Sequence, residues 1–174
     1  MARKSARHRK ALGQVNSFDT LSAVIIFAIC IVFTTVFWTN ISYSTQAMVD
    51  RNRMEYAALT ASDILMENTG TPAEWELDPT NAQMLGLAGA GSPGVLGTDK
   101  IGNFTAMNYA TSKSFLGLAA EDYYFYIEDL NGNRLYASGN NSLSGKNSVT
   151  VTRFGVLSSS GTTTKVRMRL TVYE

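Results

Sequence analysis

A run of nineteen uncharged residues near the start of the chain, residues 21–39, constrains the fold more than any other feature. A helix of that length spans roughly 28 Å, close to the hydrocarbon thickness of a bilayer. Its residues are mostly Val, Ile, Phe and Ala, and Trp38 lies at its far end, where amphipathic rings prefer the membrane interface. Core helices of soluble proteins usually show a polar face instead. The run therefore predicts a membrane-spanning helix.

The charges on either side of this run indicate its orientation. Residues 1–13 hold five of the fifteen lysines and arginines and none of the fourteen acids. Lysine and arginine beside a span stay in the cytoplasm, so we predict a cytoplasmic N-terminus and an extracellular C-terminal domain. The remainder of the chain has ten bases against fourteen acids, which is not the balance of a nucleic-acid binder.

Beyond the run, apolar residues continue at helical spacing along one stripe: Ala47, Met54, Ala58, Ala61 and Leu65. Gly70 and Pro72 then supply a helix stop. We predict one helix of about fifty residues, from near Ser17 to near Asn68, apolar all round in its first half and amphipathic in its second. A secretory signal removed near Ser42 is the alternative, although the apolar region of such a signal is only about 7–15 residues long.

The segment before the run, Arg9-Lys10-Ala11-Leu12-Gly13-Gln14-Val15-Asn16-Ser17-Phe18-Asp19, resembles the class III signal of archaeal type IV pilin-like proteins. In that family a prepilin peptidase cuts before the apolar stretch, which is retained and bundles with other copies as a filament core. The resemblance implies that Gly13 ends the leader and that Gln14 becomes the new amino terminus.

The same resemblance implies that the helix carries assembly residues. One common family pattern is Q-x-S-x-E-x-x-x-L; after Gln14 this chain has Asn16 and Phe18 at the Ser and Glu positions, and Ser17, Asp19 and Leu21 could be a shifted version of it. In the family the acid pairs with a neighbouring subunit's new amino terminus, which implies that role for Asp19. Phe27 is a further assembly position within the run. A simple boundary position, where acids suit a helix amino terminus, is the alternative for Asp19.

The predicted exported domain covers residues 70–174 and opens with a G-x-P-x-x-W arrangement that is similar to archaeal pilin-like chains. We predict that its Trp75 folds back onto the core. A short helix is expected over residues 78–87, a loop over 86–97 and an amphipathic helix between 100 and 117.

Alternating patterns later in the chain predict strands. Residues 123–130 and 134–137 flank an Asn-Gly-Asn turn, and residues 148–157 and 162–173 form a second hairpin. In the last strand Val166, Met168, Leu170 and Val172 alternate with Lys165, Arg167, Arg169 and Thr171. This pattern is typical of a sheet with one buried face. The predicted fold is α+β: a leader over 1–13, a long helix over 14–69, and an exported, mostly antiparallel sheet domain that packs on it.

Several features of the predicted sheet have more than one interpretation. Arg167 and Arg169 could form a ligand patch or a solvated row, and the tyrosines at 123, 124 and 126 could form a subunit contact, a sugar-binding face or ordinary sheet surface and core. Three N-x-S/T sequons, at Asn40, Asn103 and Asn140, are candidates for N-glycosylation on the exported side.

These residues offer little catalytic chemistry. The only histidine is His8 in the leader and the only cysteine is Cys30 in the span, so no Ser-His or Cys-His pair is available in the exported part. Acid pairs such as Glu121 with Asp122 are the weakest alternative, an enzyme using carboxylates. We expect no metal and no cofactor, because the D-x-N-G-N segment from Asp129 lacks the rest of a calcium loop.

The sequence therefore predicts a structural subunit, major or minor, of an archaeal type IV pilus-like surface filament. Its expected partners are other copies or other pilins, contacted through the N-terminal helix, together with the prepilin peptidase, the assembly machinery and the membrane before assembly. The alternative is an uncleaved, single-pass, membrane-anchored extracellular binding module. Adhesion, motility and secretion are left open.

Overall fold

The computed structural model describes residues 2–89, 92–118, 120–144, 146–159 and 162–174, with side chains described from Phe18 onward. Its contacts divide the chain into two compact units, Met1–Met48 and Val49–Glu174. The first helix, α1 (Ala2–Glu67), contributes residues to both. Its end agrees with the predicted stop near Asn68, whereas its start lies before the predicted Ser17.

The first unit contains the apolar part of α1. The described helix from Phe18 to Glu67 is long and apolar enough to cross a membrane, and none of its most apolar window is buried. Such a helix is consistent with a single membrane span or with a signal sequence. Hydroxyls do not interrupt it, because Thr34 donates to the Cys30 carbonyl (2.7 Å) and Thr35 to that of Ile31 (2.8 Å).

The second unit places the last turns of α1 against a sheet. Met54, Ala58, Ala61 and Leu65 of the predicted stripe are buried, as expected. Ala47 is exposed, so its inclusion in the stripe was wrong: it lies in the first unit, before the packed part of the helix begins.

Six strands and two short helices complete this unit. The strands are β1 (Ala88–Gly89), β2 (Ser92–Gly97), β3 (Asp122–Asp129), β4 (Arg134–Gly139), β5 (Ser148–Ser159) and β6 (Thr162–Tyr173). The helices are α2 (Thr98–Ala106) and α3 (Tyr109–Phe115), preceded by two 3-10 turns at Trp75–Leu77 and Pro79–Asn81. The sheet order is β1-β2-β5-β6-β3-β4, and among the described residues only the β2–β5 pairing is parallel.

Both predicted hairpins are confirmed, and so is the alternation of β6 over residues 165–170. Thr171, predicted on the wet face, is buried, and its hydroxyl is hydrogen-bonded to that of Thr150 (2.9 Å). Val166, Met168, Leu170 and Val172 are buried, and the last three are in register with Ile127, Phe125 and Tyr123 of β3. Phe104 of α2 packs edge-on against Phe125, with ring centroids 5.1 Å apart. The architecture is α+β and pilin-like: a long apolar N-terminal helix whose final turns pack on a mostly antiparallel sheet.

Two segment predictions were wrong, and local chemistry explains both. The predicted helix over 78–87 stops at Asn81, because the Asp78 carboxylate accepts hydrogen bonds from Thr80 and Asn81 and closes a tight turn. The predicted loop over 86–97 contains β1 and β2. Strand β2 fits beside β5 because Gly155 has no side chain: a Cβ there would lie 2.9 Å from both the Gly94 oxygen and Met66 Cε.

The predicted helix between 100 and 117 is two helices. The backbone turns extended at Met107 and Asn108, and the Asn108 side chain then caps α3 by accepting from the Ala110 N–H (2.9 Å).

Candidate functional site

The apolar face of the first unit is the largest exposed hydrophobic surface among the described residues. Large apolar side chains are exposed in every turn from Phe18 to Tyr43, and Met48 is exposed further on. Phe27, for example, is 66% exposed and Trp38 is 71% exposed. Soluble monomers rarely leave more than a few hundred Å² of contiguous apolar surface open, so this segment requires a membrane or other helices around it.

The residues implied by the family resemblance lie partly within this surface. Leu21 and Phe27 are exposed on it, and Asp19 is exposed two positions before Leu21. Gly13, Gln14 and Ser17 lie outside the residues whose side chains the structure describes. The structure therefore places Asp19, Leu21 and Phe27, which are predicted assembly positions, at exposed sites of one apolar helix.

The three sequons have different surroundings. The Asn40 amide donates to the Val36 carbonyl within α1 (2.9 Å), and the half-buried Asn103 amide donates to the Asp99 carbonyl within α2 (3.1 Å). Asn140 is exposed after β4, where its side chain accepts from the Ser142 N–H (3.2 Å). Asn40 and Asn140 are thus the exposed sequons, and Asn140 is the one that lies in the sheet domain.

A second candidate lies on the outer face of the sheet, opposite the core. The Arg134 guanidinium donates to the Tyr124 hydroxyl (2.7 Å) and sits 4.6 Å from the centre of the Tyr126 ring. Arg169 approaches the same ring at 6.0 Å. These cation–π contacts hold two guanidiniums in fixed positions. Tyr123, by contrast, is buried in the core, so the three tyrosines do not form one cluster.

Glu128 pairs with two arginines of this outer face. It is buried, and its Oε1 lies 3.1 Å from Arg167 and 3.3 Å from Arg169. One carboxylate therefore faces two guanidiniums, whose side chains are only 27% and 34% exposed. Arg167 and Arg169 are accordingly not a freely solvated row. We call the four outer-face bases Arg134, Lys165, Arg167 and Arg169 the basic surface.

An acidic cleft of about 760 Å³ lies elsewhere on the second unit and was not foreseen. Its lining includes Glu74, Glu76, Leu77, Asp99 and Tyr136. The nearest base is Lys100, which is buried and donates to the carbonyls of Thr69 (2.5 Å) and Ala73 (2.6 Å), 3.7 Å from Glu76. The acids of residues 74–78 are close in sequence, but α2 is needed to bring Asp99 beside them.

The acids considered for catalysis are held by neighbours. Glu121 pairs with Arg53 (2.9 Å), and hydrogen bonds from Lys113 and Tyr109 lower the pKa of Asp122. Burial in turn raises the pKa of Tyr109 to about 12. The part of the chain that the structure describes holds no group of three or more metal-ligating side chains.

Asp129 closes its own turn. Its carboxylate accepts hydrogen bonds from the Asn133 side chain (2.8 Å) and from the N–H groups of Asn131 (2.8 Å) and Asn133 (2.9 Å). These bonds, that of the Asn133 side chain first, lower its pKa. The D-x-N-G-N segment thus has a structural role in the β3–β4 hairpin.

Comparison of the chain with protein-family models, with curated proteins and with solved structures finds no match. The likeness to pilins accordingly depends on two observations: the residues from Arg9 to Asp19, and the arrangement of a long apolar N-terminal helix with a C-terminal sheet domain.

Proposed function

We propose that this chain is a structural subunit of an archaeal type IV pilus-like surface filament and that it assembles through the first half of α1. The observation that carries the proposal is the exposed apolar helix over residues 18–49, next in sequence to a domain that already has a closed core of its own. Helices of neighbouring subunits would cover the surface that the chain leaves exposed.

Processing of the leader fits this proposal chemically. A cut after Gly13 would remove all five bases of the cytoplasmic tip and would leave an apolar helix free to be drawn out of the membrane. The new amine of Gln14 would carry a charge that is costly to bury alone. The carboxylate of Asp19, five residues further on, is the acid available to offset that cost in a neighbouring subunit.

The proposed role of Asp19 gives a first prediction. We expect Asp19→Ala to lower the yield of sheared filaments by at least about tenfold while the amount in membranes stays normal, because an unpaired buried amine costs several kcal/mol. Asp50→Ala, which removes a carboxylate from the same helix, is the matched control and should assemble normally. Filaments of Asp19→Ala at wild-type abundance would remove Asp19 from the assembly contact.

The mass and N-terminal sequence of the protein from membranes and from sheared surface fractions test the function itself. A chain that begins at Gln14 and is enriched in sheared filaments supports processing and assembly together. An intact chain found only in membranes contradicts both and favours an anchored extracellular binding module.

We also propose that the protein is not an enzyme. The carboxylates that could act as acid and base, Glu121, Asp122 and Glu128, are each engaged by an arginine or a lysine. Any hydrolytic turnover that is lost when Glu121 and Asp122 are replaced together would contradict this.

A further inference from the structure

The second unit carries two surfaces of opposite charge. The basic surface has four bases around the acid Glu128, an excess of three positive charges. The acidic cleft is lined by the three acids Glu74, Glu76 and Asp99, and Asp78 follows the lining residue Leu77 in sequence. With the base Lys100, 3.7 Å from Glu76, these four acids give an excess of three negative charges. The two surfaces therefore match in magnitude and are opposite in sign.

These surfaces lie on opposite sides of the sheet. Arg167 and Arg169 alternate along β6 with the buried Met168, so their side chains leave from the outer face. Tyr136, which lines the acidic cleft, is in register with the buried Ile127 and packs against the core from the other face. One copy cannot bring its own two surfaces together, whereas two copies can.

Each surface also presents one exposed large hydrophobic side chain. Phe154 lies beside Arg167 in the register of β5 and β6 and is 70% exposed. Leu77 lines the acidic cleft and is 78% exposed. Charged groups around an apolar contact are the usual arrangement of a specific protein interface.

We propose that the basic surface of one copy docks into the acidic cleft of a second copy. This contact rests on the proposed function, in which copies lie side by side. Because the two surfaces differ, the contact is heterologous: each copy of a docked pair keeps one free surface, and repetition gives a ring where the rotation closes and an open helical array where it does not. The proposed filament requires the open array. An open repeat between sheet domains is compatible with a filament, and it would add a contact outside the apolar helices.

The guanidiniums of the basic surface are suited to such docking. Arg134 and Arg169 are held by Tyr126, and Arg167 and Arg169 are held by Glu128, so less side-chain entropy is lost on binding. Contacts between exposed charges are screened over about 8 Å at physiological salt, so the docking should weaken as salt is raised.

Carbodiimide cross-linking of the full chain, in its own membranes and in sheared filaments, tests the proposal. This zero-length reagent joins an amine to a carboxylate in direct contact. Lys165 is the exposed amine of the basic surface, and Glu74 and Asp99 are exposed acids of the acidic side. We expect a ladder of dimers and higher species, with linked peptides that join Lys165 of one copy to Glu74 or Asp99 of another.

Charge reversal provides the matched variants. Arg134→Glu with Lys165→Glu, or Glu74→Lys with Asp99→Lys, should each cut the ladder by at least about tenfold, because each pair removes the amine or the acids that the reagent joins and also places like charges across the contact. The four changes combined should restore the ladder. The combination separates the two causes, because it returns amines and acids to the contact with their positions exchanged. These four positions are exposed, and equal thermal unfolding of all variants checks that folding is intact.

A ladder that survives either reversal, or linked peptides that join Lys146 rather than Lys165 to the acids, would overturn the proposal. A reversal-sensitive ladder in membranes of cells that make no filaments would support the docking and contradict the filament function. Filaments that form without these linked peptides would support the filament function and contradict the docking.

Discussion

Replacing Trp75 by alanine should lower the free energy of unfolding of the sheet domain by about 3–5 kcal/mol, the usual cost of removing a large buried aromatic ring. Trp75 is fully buried, and its indole N–H donates to the Gly86 carbonyl (2.9 Å). Its ring packs where Gly70, with φ of +90°, has no side chain. The substitution would therefore leave a cavity and an unpaired carbonyl where the chain leaves α1.

Hydrogen exchange of β3 and β6 amides in the full chain measures this loss, because core amides exchange through global opening. Their protection should fall by a factor between about a hundred and a few thousand. Leu77→Ala, a truncation two positions away at an exposed site, should change protection very little. Trp75→Phe, which keeps most of the ring but loses the hydrogen bond, should lower protection by an amount between those of the two alanine variants. Equal protection in Trp75→Ala and Leu77→Ala would show that Trp75 does not stabilise the sheet domain against unfolding.

The elements that could be predicted from the sequence are those whose pattern is local. Strand β6 alternates apolar and polar residues from Lys165 to Val172, because one face meets the core and the other does not. The Asn-Gly-Asn turn is also a local pattern, and it predicts the β3–β4 hairpin. The stop of α1 near Asn68 needed only Gly70 and Pro72.

The remaining elements depend on contacts between distant residues. Strand β2 has glycines and a proline, which indicate a loop, yet it pairs in parallel with β5 because Gly155 leaves room for it. This parallel pairing depends on β5, a strand from a distant part of the chain, having an edge that can accept β2. No local pattern in residues 86–97 carries that information.

The candidate surfaces show the same division. Arg167 and Arg169 could be singled out by their alternation with buried residues, and so could Tyr124 and Tyr126. Arg134 was missed, since only the β3–β4 register brings it over the two tyrosine rings. The acidic cleft was missed because Asp99 and Glu74 are joined by folding and not by sequence spacing. Charged residues on separate elements form one surface only when folding brings those elements together.

Phe27→Asp should abolish assembly while leaving most of the protein in the membrane. Replacing an apolar residue by aspartate near the middle of a span costs about 3–4 kcal/mol. The remaining Ile, Val and Phe residues of α1 offset that cost, so the helix still spans. In a filament core, however, the carboxylate would be enclosed by other helices without water, and a filament loses this free energy in every subunit. We expect sheared filaments to fall by at least about a hundredfold.

Phe27→Leu is the matched control, because it keeps an apolar side chain of similar volume and should assemble at near wild-type levels. Membrane and sheared fractions from the same cells, compared by immunoblotting, separate a failure of insertion from a failure of assembly. Phe27→Asp in membranes but not in filaments would mean that other helices, and not lipid alone, cover this face. Filaments of Phe27→Asp at wild-type abundance would mean that Phe27 faces away from neighbouring subunits. If the wild-type protein and every variant stay in the membrane fraction, lipid alone covers this face and α1 is a simple membrane anchor.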